Sequence, residues 1–185
     1  MATIKDAWRK FVTGVGLVTS NGPAGYNIMA CEWTFNISYE PFLIACAINF
    51  RDATNANIKK TKVFGASIAG DKQATLASAS GGATGWEYNK IAALKELGFK
   101  FSKAKKIDVL MPKDTALSAE CKVIKIIRLG DHDLFVGKVV NWSVNEKINP
   151  YAKHQGRYWY IGKNLPKPSD KRRAEIEAII EKHKK

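Results

Sequence analysis

The hydrophobic residues of this chain fall mostly in short runs and alternating stretches, a pattern typical of β-strands. Residues 42–48 form a near-continuous apolar run, as expected for a buried strand. Residues 12–19, 26–37 and 63–68 are further apolar stretches, and the first is followed by an Asn-Gly-Pro turn signal at 21–23. The first third of the chain is therefore predicted to be mainly strands.

The best hairpin signal lies in the second half of the chain. Residues 117–128 and 134–144 are rich in β-branched and apolar side chains, and Leu-Gly-Asp-His-Asp separates them at 129–133. Asp131 and Asp133 are expected to form the turn, because short acidic side chains hydrogen-bond their own backbone there. An aromatic-rich stretch follows at 150–161.

Helices are predicted to be few and short. Residues 54–61 are expected to start at a Thr54 cap, residues 71–79 at an Asp71 cap, and residues 86–97 suggest a third helix. A terminal helix capped by Ser169 or Asp170 should place its isoleucines against the body of the protein or a partner subunit; these are Ile176, Ile179 and Ile180. Many strands with a few short helices predict a mainly β fold, a β-barrel with helical additions, rather than a doubly wound parallel sheet.

Net charge is the most unusual feature of the composition. The 185 residues carry a formal charge of +13, which suggests nucleic acid, an anionic membrane surface or a phosphate-bearing ligand. Residues 90–128 and 162–185 hold +6 and +4 of this excess, and residues 1–80 only +3. The basic clusters are separate from the aromatic segments, which disfavours nucleic acid. No apolar run approaches the length of a membrane span, and no signal peptide is evident.

Cysteines and histidines give little indication of a metal site. Cys31, Cys46 and Cys121 are odd in number and widely spaced, which argues against a disulfide framework and against zinc, and a reduced cytoplasmic compartment is expected. Cys46 lies inside the apolar run and is expected in the core, whereas Cys31 could face a ligand.

Three separated segments combine unusual residues. The first is Asn-Ile-Met-Ala-Cys-Glu-Trp-Thr-Phe-Asn-Ile-Ser at 27–38, followed by Pro41. The second is Asn-Phe-Arg-Asp-Ala-Thr at 49–54, and the third is Gly-Asp-His-Asp-Leu-Phe-Val-Gly at 130–137. The second can be interpreted on its own, because a polar loop entering a helix offers unpaired N–H groups to a phosphate, with Arg51 and Thr54 as further donors. The alternative is an ordinary capped turn with a solvated arginine.

In this order and spacing, the three segments resemble the flavin reductase-like family, which has the FMN-binding split-barrel fold. The resemblance covers roughly residues 8–160. It includes Ser-x-x-Pro at 38–41 and a Gly-Asp-His-x-x-x-x-Gly match at Gly130, Asp131, His132 and Gly137. It implies a domain at 1–162 with a basic helical extension at 163–185.

The resemblance also implies roles for individual residues. His132 would lie near the flavin face, where nicotinamide or another reductant docks, and is the candidate catalytic residue; its alternative is a turn residue. The residues expected to hold the flavin ring are Met29, Ala30, Cys31, Glu32, Trp33 and Thr34, largely through backbone groups. Those expected at the ribityl and phosphate are Asn49, Phe50, Arg51, Ala53 and Thr54, and Tyr158, beside Arg157, corresponds to a position close to the active site.

Several residues depart from the family pattern. Members often carry Thr-Ala-Asn at 30–32 and Ser or Thr at 33, where this chain has bulky Glu32 and Trp33. Trp33 either flanks the flavin or packs in the core. Residues 49–52 stand where many members have small hydroxyl residues, and Asp52 would be unfavourable beside a phosphate unless its side chain points away.

The resemblance implies an FMN-binding oxidoreductase, with FAD as an alternative cofactor and NAD(P)H as co-substrate. It would act as a homodimer and pass electrons to free flavin, iron or a partner oxygenase. Hydride transfer needs alignment rather than an acid–base pair, which fits the lack of a Ser-His-Asp set or paired carboxylates. The alternatives are a non-catalytic flavin carrier, in which Glu32 and Trp33 close the nicotinamide approach, and a basic barrel that binds nucleic acid.

Overall fold

The computed structural model describes residues 2–184, and the mainly β prediction is confirmed. The strands are β1 (Thr13–Gly14), β2 (Gly16–Ser20), β3 (Asn27–Cys31), β4 (Thr34–Ser38), β5 (Leu43–Asn49), β6 (Val63–Ile68), β7 (Phe101–Lys103), β8 (Leu110–Pro112), β9 (Leu117–Leu129), β10 (His132–Val144), β11 (Tyr151–His154) and β12 (Arg157–Tyr160). The helices are α1 (Ile4–Trp8), α2 (Ala53–Thr61), α3 (Ala74–Gly81), α4 (Lys90–Glu96) and α5 (Asp170–Lys182).

The main sheet is antiparallel and has seven strands in the order β3-β2-β6-β9-β10-β5-β4. Its two edge strands, β3 and β4, are joined by only two residues, Glu32 and Trp33. A connection this short forces the two edges together, so the sheet curls into a barrel. One contact marks the closure: the Cys31 thiol at the end of β3 lies 3.4 Å from Ala47 O in β5. The Ala47 N–H donates to Trp33 O at 3.0 Å and extends the β4–β5 pairing into the connection.

Two apolar clusters form the core. One fills the barrel and includes Phe64, Phe135 and Cys46, so the prediction for Cys46 is confirmed. The other lies between β2, β3 and the helices α3 and α4, where Leu76, Ile91 and Leu94 are buried. Gly137 lets β10 pass close to the first cluster, because a Cβ there would stand 2.5 Å from Phe64 Cζ.

The predicted hairpin is confirmed, but its turn is shorter than expected. β9 and β10 pair along 13 residues each, and only Gly130 and Asp131 lie between them, with Gly130 at φ +58°. Asp133 is not a turn former: it lies within β10 and is 2% exposed. The turn prediction was wrong because charged residues at the start of a strand look the same in sequence whether they face solvent or the protein interior.

Helix starts were predicted less well than helix positions. α2 is capped by Asp52 rather than Thr54, although the Asp52 side chain makes no capping hydrogen bond. α3 begins after Gln73 instead of Asp71, because Gly70 bridges Pro150 and residues 71–72 form a turn that the Gln73 N–H closes by donating to Gly70 O. α4 is confined to seven residues, since Asn89 caps it by accepting from Ala92 N.

The terminal helix α5 forms as predicted and is capped by the Ser169 hydroxyl. None of its residues is buried, and Ile180 is 64% exposed. The expected packing of its isoleucines on the body of this chain is therefore wrong, while packing on a partner subunit stays a prediction. Within residues 2–184 no helix is both long and apolar enough to cross a membrane.

Candidate functional site

Strand pairing brings the second and third sequence segments together. His132, the first residue of β10, pairs with Asn49, the last residue of β5. The N–H of Phe50 then donates to Asp131 O at 3.2 Å, which ties the loop after β5 to the hairpin turn. The two segments lie 76 or more residues apart in sequence and form one surface.

The first segment reaches the same surface through Trp33. Its indole lies against the His132 imidazole, with ring centroids 4.7 Å apart and an interplanar angle of 55°. Trp33 is 39% exposed, so it is not a core residue, and it covers one side of His132. All three segments singled out in the sequence therefore meet at His132.

The His132 ring is oriented by Asp131. Its Nδ1 lies 2.6 Å from Asp131 Oδ1, and this hydrogen bond lowers the pKa of Asp131. Because an ionised carboxylate only accepts, the hydrogen is assigned to Nδ1. In the neutral imidazole, Nε2 is then left as the acceptor nitrogen.

Beside this surface, a small cleft opens at the N-terminus of α2. We call it the α2 cleft; its lining is Asn27, Met29, Ala30, Asp52, Ala53, Thr54, Ser80, Gly81, Ala83, Thr84, Gly85 and Lys90. Its volume is about 90 Å³, well below the roughly 300 Å³ of a small ligand pocket. The cleft is therefore the size of one end of a ligand.

Close packing between three elements builds the α2 cleft. The buried Asn27 amide at the start of β3 donates to the Thr54 hydroxyl at 2.8 Å. Gly85 approaches from the loop after α3, and a Cβ there would overlap the Asn27 amide at 2.5 Å. The Trp86 indole N–H donates to Arg51 O at 3.0 Å and secures the loop on the other side. The N–H groups of the first turn of α2, at Ala53 and Thr54, have no acceptor within the helix.

Lys90 supplies a buried cation to the α2 cleft. It is only 6% exposed, and its ammonium donates to Ser80 O at 2.9 Å. Burial lowers the pKa of Lys90 to about 8, and Asp52 opposes that change. An anion bound here would stabilise the charged ammonium of Lys90. The anion would in turn be stabilised by that ammonium and by the N–H groups at the start of α2.

Sequence reasoning missed Lys90 because it lies in a stretch counted as basic surface. A signal was present, since Lys90 and the apolar Leu94 are four residues apart and share one face of α4. The ammonium reaches Ser80 O from that face, beside the buried Ile91 and Leu94.

Asp52 is the second charged residue of the α2 cleft. Burial raises its pKa, and the charges of Lys90 and His132 oppose the rise. Among residues 2–184 its carboxylate has no hydrogen-bond or ion-pair partner. It is a half-buried acid whose charge is favoured at a distance by Lys90 and His132, without a direct hydrogen bond from either.

The carboxylate of Asp133, in contrast to that of Asp52, has hydrogen-bond partners and links several elements of the fold. It accepts from Arg128 Nε at 2.6 Å, from Lys59 Nζ at 2.6 Å and from Asn55 Nδ2 at 2.9 Å. These bonds link β10 to β9 and α2, and thereby fix the position of His132, at the start of β10, relative to the α2 cleft.

Comparison with known proteins places the chain in a family. The family model of the flavin reductase like domain matches residues 8–162, which are most of this chain. The chain belongs to the flavin reductase-like family. An uncharacterized protein of Pyrococcus abyssi is 30% identical over 131 residues, which are 71% of this chain and 73% of that protein.

Solved structures of the same fold cover nearly the whole chain. A nitrilotriacetate monooxygenase component B homolog from Mycobacterium thermoresistibile has a TM-score of 0.76 at 21% identity, covering 89% of each chain. A Streptomyces globisporus NADH:FAD oxidoreductase, in complex with NAD and FAD fragments, has a TM-score of 0.72 at 16% identity, covering 88% of this chain and 92% of that one. At these identities, the likeness supports a flavin reductase-type fold for this chain.

Some predicted site residues of this flavin reductase-like chain are near His132 and the α2 cleft. Met29, Ala30, Ala53 and Thr54 line the α2 cleft, while Trp33, Asn49 and Phe50 surround His132. The segments that the resemblance selected are therefore brought together by the fold.

Other predicted residues have their side chains elsewhere. The Cys31 thiol belongs to the barrel core, and burial raises its pKa to about 11. The Thr34 hydroxyl is buried and donates to Cys31 O. For these two residues, any ligand contact would have to be through the backbone, as the family resemblance implies.

Glu32, Arg51 and Tyr158 also lie apart from the α2 cleft. Glu32 forms an ion pair with Lys153. Arg51 is exposed, with its guanidinium 5.5 Å from the centroid of the Phe50 ring. Tyr158 packs edge-on against Tyr151, and its hydroxyl lies 3.2 Å from Ser78 Oγ.

Proposed function

We propose that this protein is a flavin-dependent oxidoreductase of the flavin reductase type, which uses NAD(P)H. The observation that carries the proposal is the meeting of Trp33, His132 and the α2 cleft on one surface, with the buried ammonium of Lys90 in the cleft. The residues present fit a flavin nucleotide, because an aromatic surface adjoins a cleft that offers a buried ammonium and helix N–H groups, as a ring with a phosphate tail requires. FMN is the proposed form, with FAD as the alternative.

The bound flavin would supply a ring that accepts a hydride from a nicotinamide. The residues of this chain have three tasks. Lys90 and the N–H groups of Ala53 and Thr54 would hold the phosphate. Trp33 would limit water access to the ring, and His132, oriented by Asp131, would present Nε2 toward the docked reductant.

The spectrum of the purified protein tests this proposal. Added FMN or FAD should bind and give a perturbed yellow spectrum, and NADH or NADPH added without oxygen should bleach it. A protein that binds neither flavin would refute the proposal. A protein that binds flavin but stays oxidised with both nucleotides would favour the carrier function instead, which the coverage of His132 by Trp33 supports.

Two variants test the phosphate end. Lys90→Met should weaken FMN binding by roughly tenfold to a hundredfold, because a hydrogen bond to a charged group contributes about 1.5–3 kcal/mol. Arg51→Ala removes a cation whose side chain does not line the α2 cleft and is the matched comparison. A larger loss in Arg51→Ala than in Lys90→Met would place the phosphate at the arginine. Equal melting temperatures would show that both variants are folded.

A homodimer in a cytoplasmic setting completes the proposal. An apolar groove of about 500 Å³ is lined from β4, β5, β6, β9 and β10 and includes Phe35, Tyr39, Phe42 and Trp142. Tyr39 is 89% exposed and Trp142 58% exposed, and contiguous apolar surface of this kind marks an interface. Sedimentation equilibrium should show two copies; a monomer at micromolar concentration would contradict this part. The three unpaired cysteines fit a reducing compartment.

A further inference from the structure

The charge balance of the α2 cleft differs from that of a strong phosphate site. Among the described residues, its charged side chains are Lys90 and Asp52, so their formal charges cancel. A phosphate group carries −1.5 to −2 at neutral pH. Lys90 therefore favours phosphate binding in the α2 cleft, and ionised Asp52 disfavours it.

Asp52 lines the α2 cleft, and charged or titratable groups from three other elements lie near it. Lys90 from α4 and His132 from β10 are the cationic or titratable groups that favour its ionised form, and Cys31 in β3 is near enough for its own pKa to respond to Asp52. None of them forms a hydrogen bond with the carboxylate in the described part of the chain. Another acid in this region, Asp133, has three partners and is held away from the cleft.

We propose that Asp52 limits the affinity of this site for phosphate-bearing flavins, so that the flavin is held as an exchangeable substrate and binds more tightly when Asp52 takes up a proton. The inference rests on the proposed function. Its physical basis is that a phosphate and an ionised carboxylate in one small, partly desolvated cleft repel each other, whereas a protonated carboxyl can donate a hydrogen bond to the phosphate.

The burial of Asp52 gives the direction of the pH effect. Because its pKa is raised, the proton is retained to higher pH than in a free aspartate, and a phosphate would raise the pKa further. FMN binding should therefore strengthen as pH falls toward the acid range. Above about pH 8 it should weaken for a second reason, since Lys90 then loses its charge.

The experiment compares FMN with riboflavin, which has the same ring and no phosphate. Affinities are measured by fluorescence titration for the wild type, Asp52→Asn and Asp52→Ser; both replacements can still cap α2. FMN affinity should rise on the order of tenfold in each variant, while riboflavin affinity changes little. The ratio of FMN affinity to riboflavin affinity should increase at lower pH more strongly in the wild type than in Asp52→Asn, which shares the titration of the phosphate. Because removal of Asp52 also changes the titration of Lys90, the comparison is made on the acid side of neutrality, below the pKa of Lys90.

A desalting step provides the second readout. Wild-type protein loaded with FMN should lose most of the flavin, and Asp52→Asn should retain more of it. Unchanged FMN affinity in both variants, or equal changes for FMN and riboflavin, would overturn the inference while leaving the proposed function intact. Failure of the wild type and both variants to bind either flavin would show that the proposed function itself is wrong, and the inference with it.

Discussion

Replacing Asp133 with alanine tests the link that holds His132 and α2 together. Asp133 is 2% exposed, and its carboxylate accepts from Arg128, Lys59 and Asn55 at 2.6, 2.6 and 2.9 Å. Burial alone would raise the pKa of Asp133, but these three hydrogen bonds outweigh it and hold the pKa well below its usual value. The ionised form is therefore the one that stabilises the fold.

Removal of one partner from a fully buried ion pair costs about 3–5 kcal/mol. Here Lys59 and Arg128 are 39% and 53% exposed, so solvent screens part of the interaction. We therefore expect Asp133→Ala to lower the free energy of unfolding by about 3 kcal/mol, and the melting temperature by roughly 6–12 °C for a chain of this size. Urea and thermal unfolding followed by circular dichroism measure both quantities.

The dependence on pH has a defined sign. The folded pKa lies below the unfolded value of 3.8, so the contribution is fully present above about pH 4 and is lost as pH falls through the folded pKa. The difference between wild type and Asp133→Ala should be constant from pH 7 to about pH 5 and shrink in stronger acid. Asp131→Ala removes the neighbouring, 75% exposed carboxylate and should leave the melting temperature nearly unchanged. Equal losses in the two variants would refute the structural role of Asp133.

Three further predictions concern the barrel and the tail. Gly137→Ala should destabilise the protein by about 1–3 kcal/mol, because the new Cβ meets Phe64, whereas Gly14→Ala enters open space and should be neutral in the same thermal unfolding assay. The buried thiols should react with a disulfide reagent at pH 7.5 far more slowly in the native protein than in denaturant, because burial raises their pKa values; these are Cys31, Cys46 and Cys121. Deletion of residues 163–185 should leave the melting temperature of the remaining domain unchanged, since no residue of α5 is buried; a loss of dimer on sedimentation would instead place α5 in the interface.

The strands could be predicted from the sequence because their signals are local. Residues 42–48 and 63–68 are apolar runs bounded by turn residues, and β5 and β6 lie within one residue of the predicted limits. The hairpin was found for the same reason. Its turn was misjudged at Asp133, whose partners Lys59 and Asn55 are more than 70 residues away in sequence and give no local signal.

The three segments of the candidate site could be selected from the sequence because they have a recognisable order. This order selects Trp33 and His132, and in the structure their ring centroids lie 4.7 Å apart. Composition could not select the cation of the α2 cleft. Arg51 lies within the loop at 49–54 and its side chain is exposed, while Lys90, within a long basic stretch, donates to Ser80 O.

The departures from the family pattern are compensated to different degrees. Glu32 is neutralised by Lys153, and Trp33 packs on His132, so each has a partner within this chain. Asp52 has no hydrogen-bond or ion-pair partner among residues 2–184, although burial makes its charge unfavourable. A half-buried carboxylate in this position must be compensated by a proton, a cation or a ligand that donates to it. Of the three departures, Asp52 is therefore the one whose energy changes most directly when the cleft is filled, and the one that links the charge state of the protein to what it binds.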